Sequence, residues 1–590
     1  MEYDPAGRIE SRSILVTDEN GEVHETDKEN YAYDPSGRLA GTQNAHSRHQ
    51  YFYDKLGNLI REYRHDSLDG TARSHVWHHR YDALGNRTET IRPDGQRIGY
   101  LHYGSGHLHG ITLNRNEIAA FERDKLHRET ERTFGRHIRQ ETQYDPVGRI
   151  LQQIHNRSRR EYGYDAAGQL THIQSRGGQT QYRYDPIGRL IASVTPDFSE
   201  TFAFDPAGNR LDLSGNKQDH TGQTNSQEKP SLNKVWGNLL KEYAGVHYDY
   251  DQRGNLIRKT RNGETTDYHW NGYNQLVKIE NRNGSTEYRY DPLGRRTAKI
   301  RNGETTVPIG IEREDKPAEP YSYDPETDPL LKIPPEPQEQ SEAQPELVYY
   351  QLDHLGTPIA AHNAKGEAVW TAEYEAWGRI RQETVSDDPK ANVPFRFQGQ
   401  YYDEESGLHY NRFRYYDPEI GRFVSQDPIG LQGGMNLFEY APNPVGWIDP
   451  LGLLSEWRRN WEARYGAFPA GYQVHHIIPK EEMVLSSLRK LCPSYDIHQV
   501  DNLIALPESS SISQQNKPGF GKTIHSGYHK GYSLAVKKML EGAVKFKKQG
   551  LSSCAKIKAI QRALKQSLVK GDISMYKSNS KLDTSYVTAN

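Results

Sequence analysis

A mainly β chain of antiparallel hairpins, ending in a small α+β domain, is what these 590 residues predict. A Tyr-Asp-x-x-Gly motif returns at a fixed spacing, tyrosine stands in for the aliphatic residues of an ordinary core, and both features stop after residue 453. The length exceeds what one hydrophobic core supports, so at least two domains are expected. Hydrophobic content is 34%, below the usual globular share, and 39 Tyr against 14 Phe fill part of the gap. A tyrosine core works only where the hydroxyls find partners, which suits a thin, half-wet sheet.

The repeats come first in the chain. Tyr144-Asp145, Tyr164-Asp165, Tyr184-Asp185 and Phe204-Asp205 are spaced 20 residues apart, as are Tyr250-Asp251, Trp270-Asn271 and Tyr290-Asp291. Tyr33-Asp34 and Tyr53-Asp54 match them near the start, and glycines such as Gly37, Gly148, Gly188 and Gly254 fall four residues after the tyrosine. Alternation such as Tyr182-Arg183-Tyr184 puts aromatics on one face of a strand. Asp-Pro-x-Gly is turn chemistry: proline presets φ, aspartate caps through its side chain, and glycine accepts positive φ. An apolar residue such as Leu190 or Leu256 then starts the next strand. One hairpin cannot bury its own face, so neighbours must stack into a continuous sheet. The chain opens at Tyr3-Asp4-Pro5-Ala6-Gly7-Arg8, already the body of a repeat, which reads as a fragment or an array without its own N-terminal cap. Residues 212–232 read as a polar surface loop and residues 312–346, with Pro334-Pro335-Glu336-Pro337, as an extended Pro/Glu-rich insertion.

These motifs resemble the YD-repeat region of the Rhs family of polymorphic bacterial toxins, related to the C component of Tc toxin complexes. The resemblance implies YD-repeat β-hairpins wound into a hollow cocoon, here residues 1–394, enclosing a C-terminal toxin. Residues 395–453 carry Arg412-Phe413-Arg414-Tyr415-Tyr416-Asp417, then Asp427-Pro428-Ile429-Gly430-Leu431, and close on Asp449-Pro450-Leu451-Gly452-Leu453. This stretch is similar to the Rhs core-associated region. It implies an aspartic-protease-like pair, Asp427 and Asp449, that cuts the chain after Leu453 with help from Arg414; Arg412 and Arg422 compete for the arginine's place. Two close carboxylates cannot both ionise cheaply, so one can act as acid while the other activates water. Taken without the family, both motifs are Asp-Pro turns like those in every repeat.

Residues 454–590 change character. They hold 21 Lys and Arg against 10 Asp and Glu, a net of +11, while the rest of the chain nets −14. A basic module is an electrostatic footprint for polyanions, or simply a solvated helical surface. Val474-His475-His476 is followed by Asn502 and by His525-Ser526-Gly527-Tyr528-His529. At a strand end both adjacent histidines can reach one site, so one can ligate a metal and the other act as base. His525 and His529, four apart, share a face on a helix and can bind one ion together. Asn502 can orient a histidine ring. The set resembles the HNH, or ββα-metal, endonucleases, and most closely their branch named for an Ala-His-His motif, with Val474 in place of the alanine. The resemblance implies His475, His525 and His529 as metal ligands and His476 as general base, with Asn502 in support. Lys522 and Lys530 are candidate phosphate contacts; His498 is a spare histidine that could replace a ligand. The 48 residues between His476 and His525 exceed a compact core, which places an insertion around 484–500 or 508–521. Residues 533–548 and 554–569 read as amphipathic helices, and 571–590 as a polar tail. Cys492 and Cys554 read as two free thiols.

No apolar run approaches a membrane span and no signal pattern opens the chain. Joined, the resemblances imply an interbacterial toxin: a DNA endonuclease using a divalent metal, Mg or Zn, released by self-cleavage inside its shell. They imply a cognate immunity protein and type VI secretion components or an adaptor as partners. Such a protein is made in the bacterial cytoplasm, secreted, and acts in the target-cell cytoplasm. RNA cleavage is the alternative within the enzyme class, since phosphate contacts carry no base identity. A YD-repeat surface-binding protein with a degenerate nuclease tail is the alternative outside it.

Overall fold

A computed structural model describes residues 1–453, apart from 18–20, 69–70, 105, 214–234, 302–303, 307–330, 333–346 and 388–391. Beyond them it describes the strands Tyr472–His476 and Leu503–Pro507. The chain divides into two compact units, residues 1–430 with 435–453, and residues 431–434 with 454–590.

The first unit is built on antiparallel meanders. A 19-stranded sheet runs from Glu2–Tyr3 to Ser199–Thr201, and an 8-stranded sheet from Glu242–Tyr243 to Glu304–Thr306. A 5-stranded sheet ends at Ile380–Val385, and a 4-stranded sheet runs from Tyr401–Asp403 to Arg422–Phe423. Strands pair with their neighbours in sequence, and the repeat strands are joined by short turns. The loop read at 212–232 falls outside the described residues beyond 213. The insertion read at 312–346 differs in one place: Leu331–Lys332 forms an edge strand paired with Tyr349 and Val348. Leu330-Leu331-Lys332-Ile333 is the apolar stretch of that Pro- and Glu-rich segment, and it has no proline to block a ladder.

The 20-residue period is a closed set of hydrogen bonds. In the turn after Tyr184, Asp185 Oδ1 accepts the backbone N–H of Ile187 and Arg189, and Oδ2 accepts Arg189 Nε at 2.7 Å. Gly188 takes a φ of +88°, where a Cβ would be strained. A β-bulge then falls at the tyrosine, as between Arg183 and Tyr184 or Arg289 and Tyr290. The tyrosine hydroxyl donates to the carbonyl 14 residues back: Tyr164 to Ile150 at 2.9 Å, Tyr184 to Leu170 at 2.6 Å, Tyr290 to Leu276 at 2.7 Å. Trp270 can replace tyrosine because its indole N–H makes the same bond, to the Leu256 carbonyl at 2.7 Å. The turn arginine stacks on the next aromatic, Arg149 over Tyr164 at 4.7 Å and Arg189 over Phe204 at 4.9 Å. Consecutive turns are therefore joined, and the hydroxyls of Tyr164, Tyr184 and Tyr290 have partners.

The leucines that open each strand supply the core: Leu170, Leu190, Leu256 and Leu276 are all buried. Within this unit the sheets are stitched face to face. Tyr273 OH donates to the Arg12 carbonyl and Tyr31 OH to that of Pro292. Phe134 packs on Tyr349, and His155 lies beside His362 with ring centroids 4.8 Å apart.

Candidate functional site

Residues 411–414 make a tight hairpin. Asn411 pairs with Arg414, and Arg412 at the tip takes a left-handed φ of +56°. Both ends of the hairpin reach residues 449–453. Asn411 Nδ2 donates to the Asp449 carbonyl at 2.8 Å and Arg414 Nε to the Gly452 carbonyl at 2.6 Å. One nitrogen of Arg414, Nη2, lies 3.0 Å from Asp427 Oδ2 and 3.3 Å from Asp449 Oδ2. Nη1 donates to the Leu437 carbonyl at 3.1 Å, and the guanidinium lies over the Phe423 ring at 3.6 Å. The backbone N–H of Leu453 donates to Asp449 Oδ1 at 2.9 Å. Arg414, Asp427 and Asp449 are all buried, with Arg414 only 1% exposed. The structure thus brings together two carboxylates, one arginine and the Leu453 backbone. Charges taken out of water at this depth persist only when paired.

Of the competing arginines, Arg412 donates to the Leu293 carbonyl and Arg422 to Asn209 Oδ1 and the Asn238 carbonyl. Sequence reasoning missed Asn411, buried beside the turn, and Gly399. A Cβ on Gly399 would stand 2.0 Å from the Pro450 carbonyl oxygen, so only glycine lets the chain pass there. Neither carries a local signal: a lone Asn and a lone Gly are everywhere in this sequence.

In the second unit Tyr472–His476 pairs antiparallel with Leu503–Pro507, His475 opposite Ile504 and His476 opposite Leu503. The tandem histidines therefore end one strand where its partner begins. Asn502, Lys522, His525, His529, Lys530, His498, both cysteines, the expected insertion and the predicted helices lie outside the described residues. Among the described residues no cluster of His, Cys, Asp and Glu is arranged to hold a metal, and no helix is long and apolar enough to cross a membrane.

Residues 129–432 match the family model for the teneurin YD-shell. The chain belongs to the YD-shell family. The expected mainly β fold is therefore that of a YD-shell, and residues 53–97 also match the RHS repeat. Residues 456–567 match a nuclease family of the HNH/ENDO VII superfamily with conserved AHH. The YD-shell chain is 34% identical over 454 residues to double-stranded DNA deaminase toxin A of Burkholderia cenocepacia, covering 69% of this chain and 30% of that one. It is 34% identical over 511 residues to the toxin protein Tse5 of Pseudomonas aeruginosa, covering 72% and 37%. It is 30% identical over 463 residues to the probable deoxyribonuclease RhsA of Dickeya dadantii, covering 68% and 29%. The chain thus spans about a third of the length of these curated relatives. Among solved structures, TcdB2-TccC3 without its hypervariable C-terminal region shares the fold, with a TM-score of 0.55 at 16% identity over 77% of this chain and 26% of that one. A deaminase and a deoxyribonuclease match over similar shares of the chain, so likeness of this extent does not fix the chemistry. That must come from residues 456–567.

Proposed function

We propose that this YD-shell protein is an interbacterial toxin whose residues 454–590 form a metal-dependent DNA endonuclease, freed from residues 1–453 by self-cleavage after Leu453. The observation that carries the nuclease reading is the match of residues 456–567 to the AHH nuclease family, with His475 and His476 at the end of a paired strand. Imidazoles are ordinary ligands for divalent metals, so the donor set fits one. His475, with His525 and His529, would hold Mg or Zn. When bound, the metal would polarise the scissile phosphate. His476 accepts the proton of the attacking water, Asn502 orients a ring, and Lys522 and Lys530 meet phosphate. The net +11 of this segment favours a polyanionic substrate. We place DNA ahead of RNA as the substrate, and the comparison of plasmid with RNA below decides between them.

The buried triad supports the cleavage reading. Water attacks the Leu453 carbonyl carbon. One aspartate takes the water's proton, and the other, protonated, gives its own to the carbonyl oxygen. In the collapse the Leu454 nitrogen takes the proton from the first aspartate and leaves as the new amine, one hydroxyl of the intermediate returns its proton to the second aspartate, and Leu453 ends as a carboxylic acid. Arg414 holds both carboxylates and the Gly452 carbonyl in place. A cognate immunity protein, delivery through type VI components, and action in the target-cell cytoplasm complete the proposal.

Two measurements test it. The intact mass of the purified chain should show a break after Leu453, absent in Asp427→Asn and Asp449→Asn; an unbroken wild-type chain rejects self-cleavage. Plasmid cleavage by the purified protein should need divalent metal and vanish in His476→Ala. Intact plasmid beside degraded RNA would move the substrate to RNA, and neither cut would favour the surface-binding alternative.

A further inference from the structure

The repeat turns carry their own cap. In most, the side chain four residues after the aspartate donates to Asp Oδ2: Arg38 to Asp34 at 2.6 Å, Asn58 to Asp54 at 2.9 Å, Arg149 to Asp145 at 2.6 Å, Gln169 to Asp165 at 3.2 Å, Arg189 to Asp185 at 2.7 Å, Asn255 to Asp251 at 2.9 Å. The two turns of the buried triad break this rule. Their fourth residues are Leu431 and Leu453, which have nothing to donate. The rest of the 449 turn is intact, since the Leu453 N–H still reaches Asp449 Oδ1 at 2.9 Å, just as the Arg189 N–H reaches Asp185 Oδ1 at 2.9 Å. Neither leucine can supply the side-chain cap, and Arg414 from another hairpin meets Oδ2 of both aspartates.

Two neighbouring turns, each with its glycine one residue later than in the repeats, also lack a side-chain donor four residues on. Asp403 and Asp417 have glycine four residues on, Gly407 and Gly421. Arg296 and Lys259, from the 8-stranded sheet, take their carboxylates. An uncapped turn aspartate is thus one whose carboxylate is open to a group from elsewhere in the fold. Side-chain and backbone donors of Asn86 hold the capped Asp82 below the usual carboxylate range. An acid–base pair needs one carboxyl that keeps its proton, which a capped aspartate does poorly.

We infer that leucine at positions 431 and 453 is what arms the two aspartates: the missing cap turns ordinary repeat turns into a reactive pair, and Leu453 is a specificity-determining residue for its chemistry at the turn as well as for its place beside the cut. This rests on the self-cleavage reading above. Asparagine, close to leucine in shape and the cap of Asp54 and Asp251, would disarm Asp449. The experiment follows cleavage of the full chain as wild type, Leu453→Asn and Leu453→Ala, with thermal midpoints confirming that each folds. The expected result is Leu453→Asn cut at least about tenfold more slowly than Leu453→Ala, the size of effect a hydrogen bond to a charged group carries. Its residual cleavage should be fastest at a more acid pH, because the new donor lowers the pH at which Asp449 keeps its proton. Equal rates and equal pH profiles for the two variants would overturn the inference alone. A wild-type chain that stays whole would reject the self-cleavage reading and the inference with it. Leu431→Asn repeats the test at Asp427 without changing the residue before the cut.

Discussion

At the scale of single residues, Arg414 gathers more of the structure than any neighbour in its hairpin. It reaches two carboxylates, two carbonyls and an aromatic face from a position 1% exposed. Replacing it with alanine should destabilise the folded chain by about 3–5 kcal/mol, because the carboxylates lose their buried cation. Denaturant unfolding of Arg414→Ala in an Asp449→Asn background, where no cut complicates the reading, measures this. Arg414→Lys keeps the charge but not the planar fork, so cleavage should fall even where stability is largely restored. Only the resemblance to the Rhs core-associated region pointed to Asp427, Asp449 and Arg414, because turn aspartates and arginines occur in every repeat. Nothing pointed to Asn411 and Gly399, since what matters about them is a carbonyl 38 residues on for one and the Pro450 carbonyl for the other.

At the scale of the repeat, the element is held by a few recurring bonds, and each can be removed alone. Tyr184→Phe deletes only the bond to the Leu170 carbonyl and should cost about 1 kcal/mol in equilibrium unfolding. A larger loss would mean that the hydroxyl also holds the register of its neighbours. Gly188→Ala forces a Cβ into a φ of +88° and should cost about 1–2 kcal/mol. The corresponding turn position at His127 already has a side chain at φ +62°, so His127→Gly should leave stability unchanged or raise it by about 1 kcal/mol. A clear drop in the melting midpoint of His127→Gly would contradict this account of the turn. The hairpins, their turns and the buried leucines were legible because their period is local. The edge strand Leu331–Lys332 was not, because its partner is a strand and not a motif.

At the scale of the molecule, histidines withdrawn from water make the first unit sensitive to acid. Burial lowers His155 to about 4, with His362 and Arg160 adding repulsion, and burial also lowers His79 to about 4. His362 is lowered by the same cause, and His409 well below its ordinary range. These groups stay neutral in the fold and take up protons in the unfolded chain. Between about pH 6.5 and pH 4 the unfolded state therefore binds more protons, and stability falls as pH falls through that window. Below it the folded rings of His155 and His79 protonate too and their contribution levels off. Thermal melts across the window should show the decline, shallower in His155→Gln; an identical slope in that variant would remove His155 from the explanation.

By itself the sequence determined the repeat, its turns and the identity of the strand-opening core residues, because all of these follow from periodicity and side-chain chemistry within about 20 residues. Only the tertiary structure decided which arginine meets which aspartates, which glycine had to be bare, and which sheets share a seam. Those outcomes depend on contacts between segments far apart in the chain, such as the Tyr273 hydroxyl on the Arg12 carbonyl. Leu453 shows both halves. Its place four residues after Asp449 is plain in the sequence, and its significance appears only once the carboxylate it leaves uncapped is seen against Arg414.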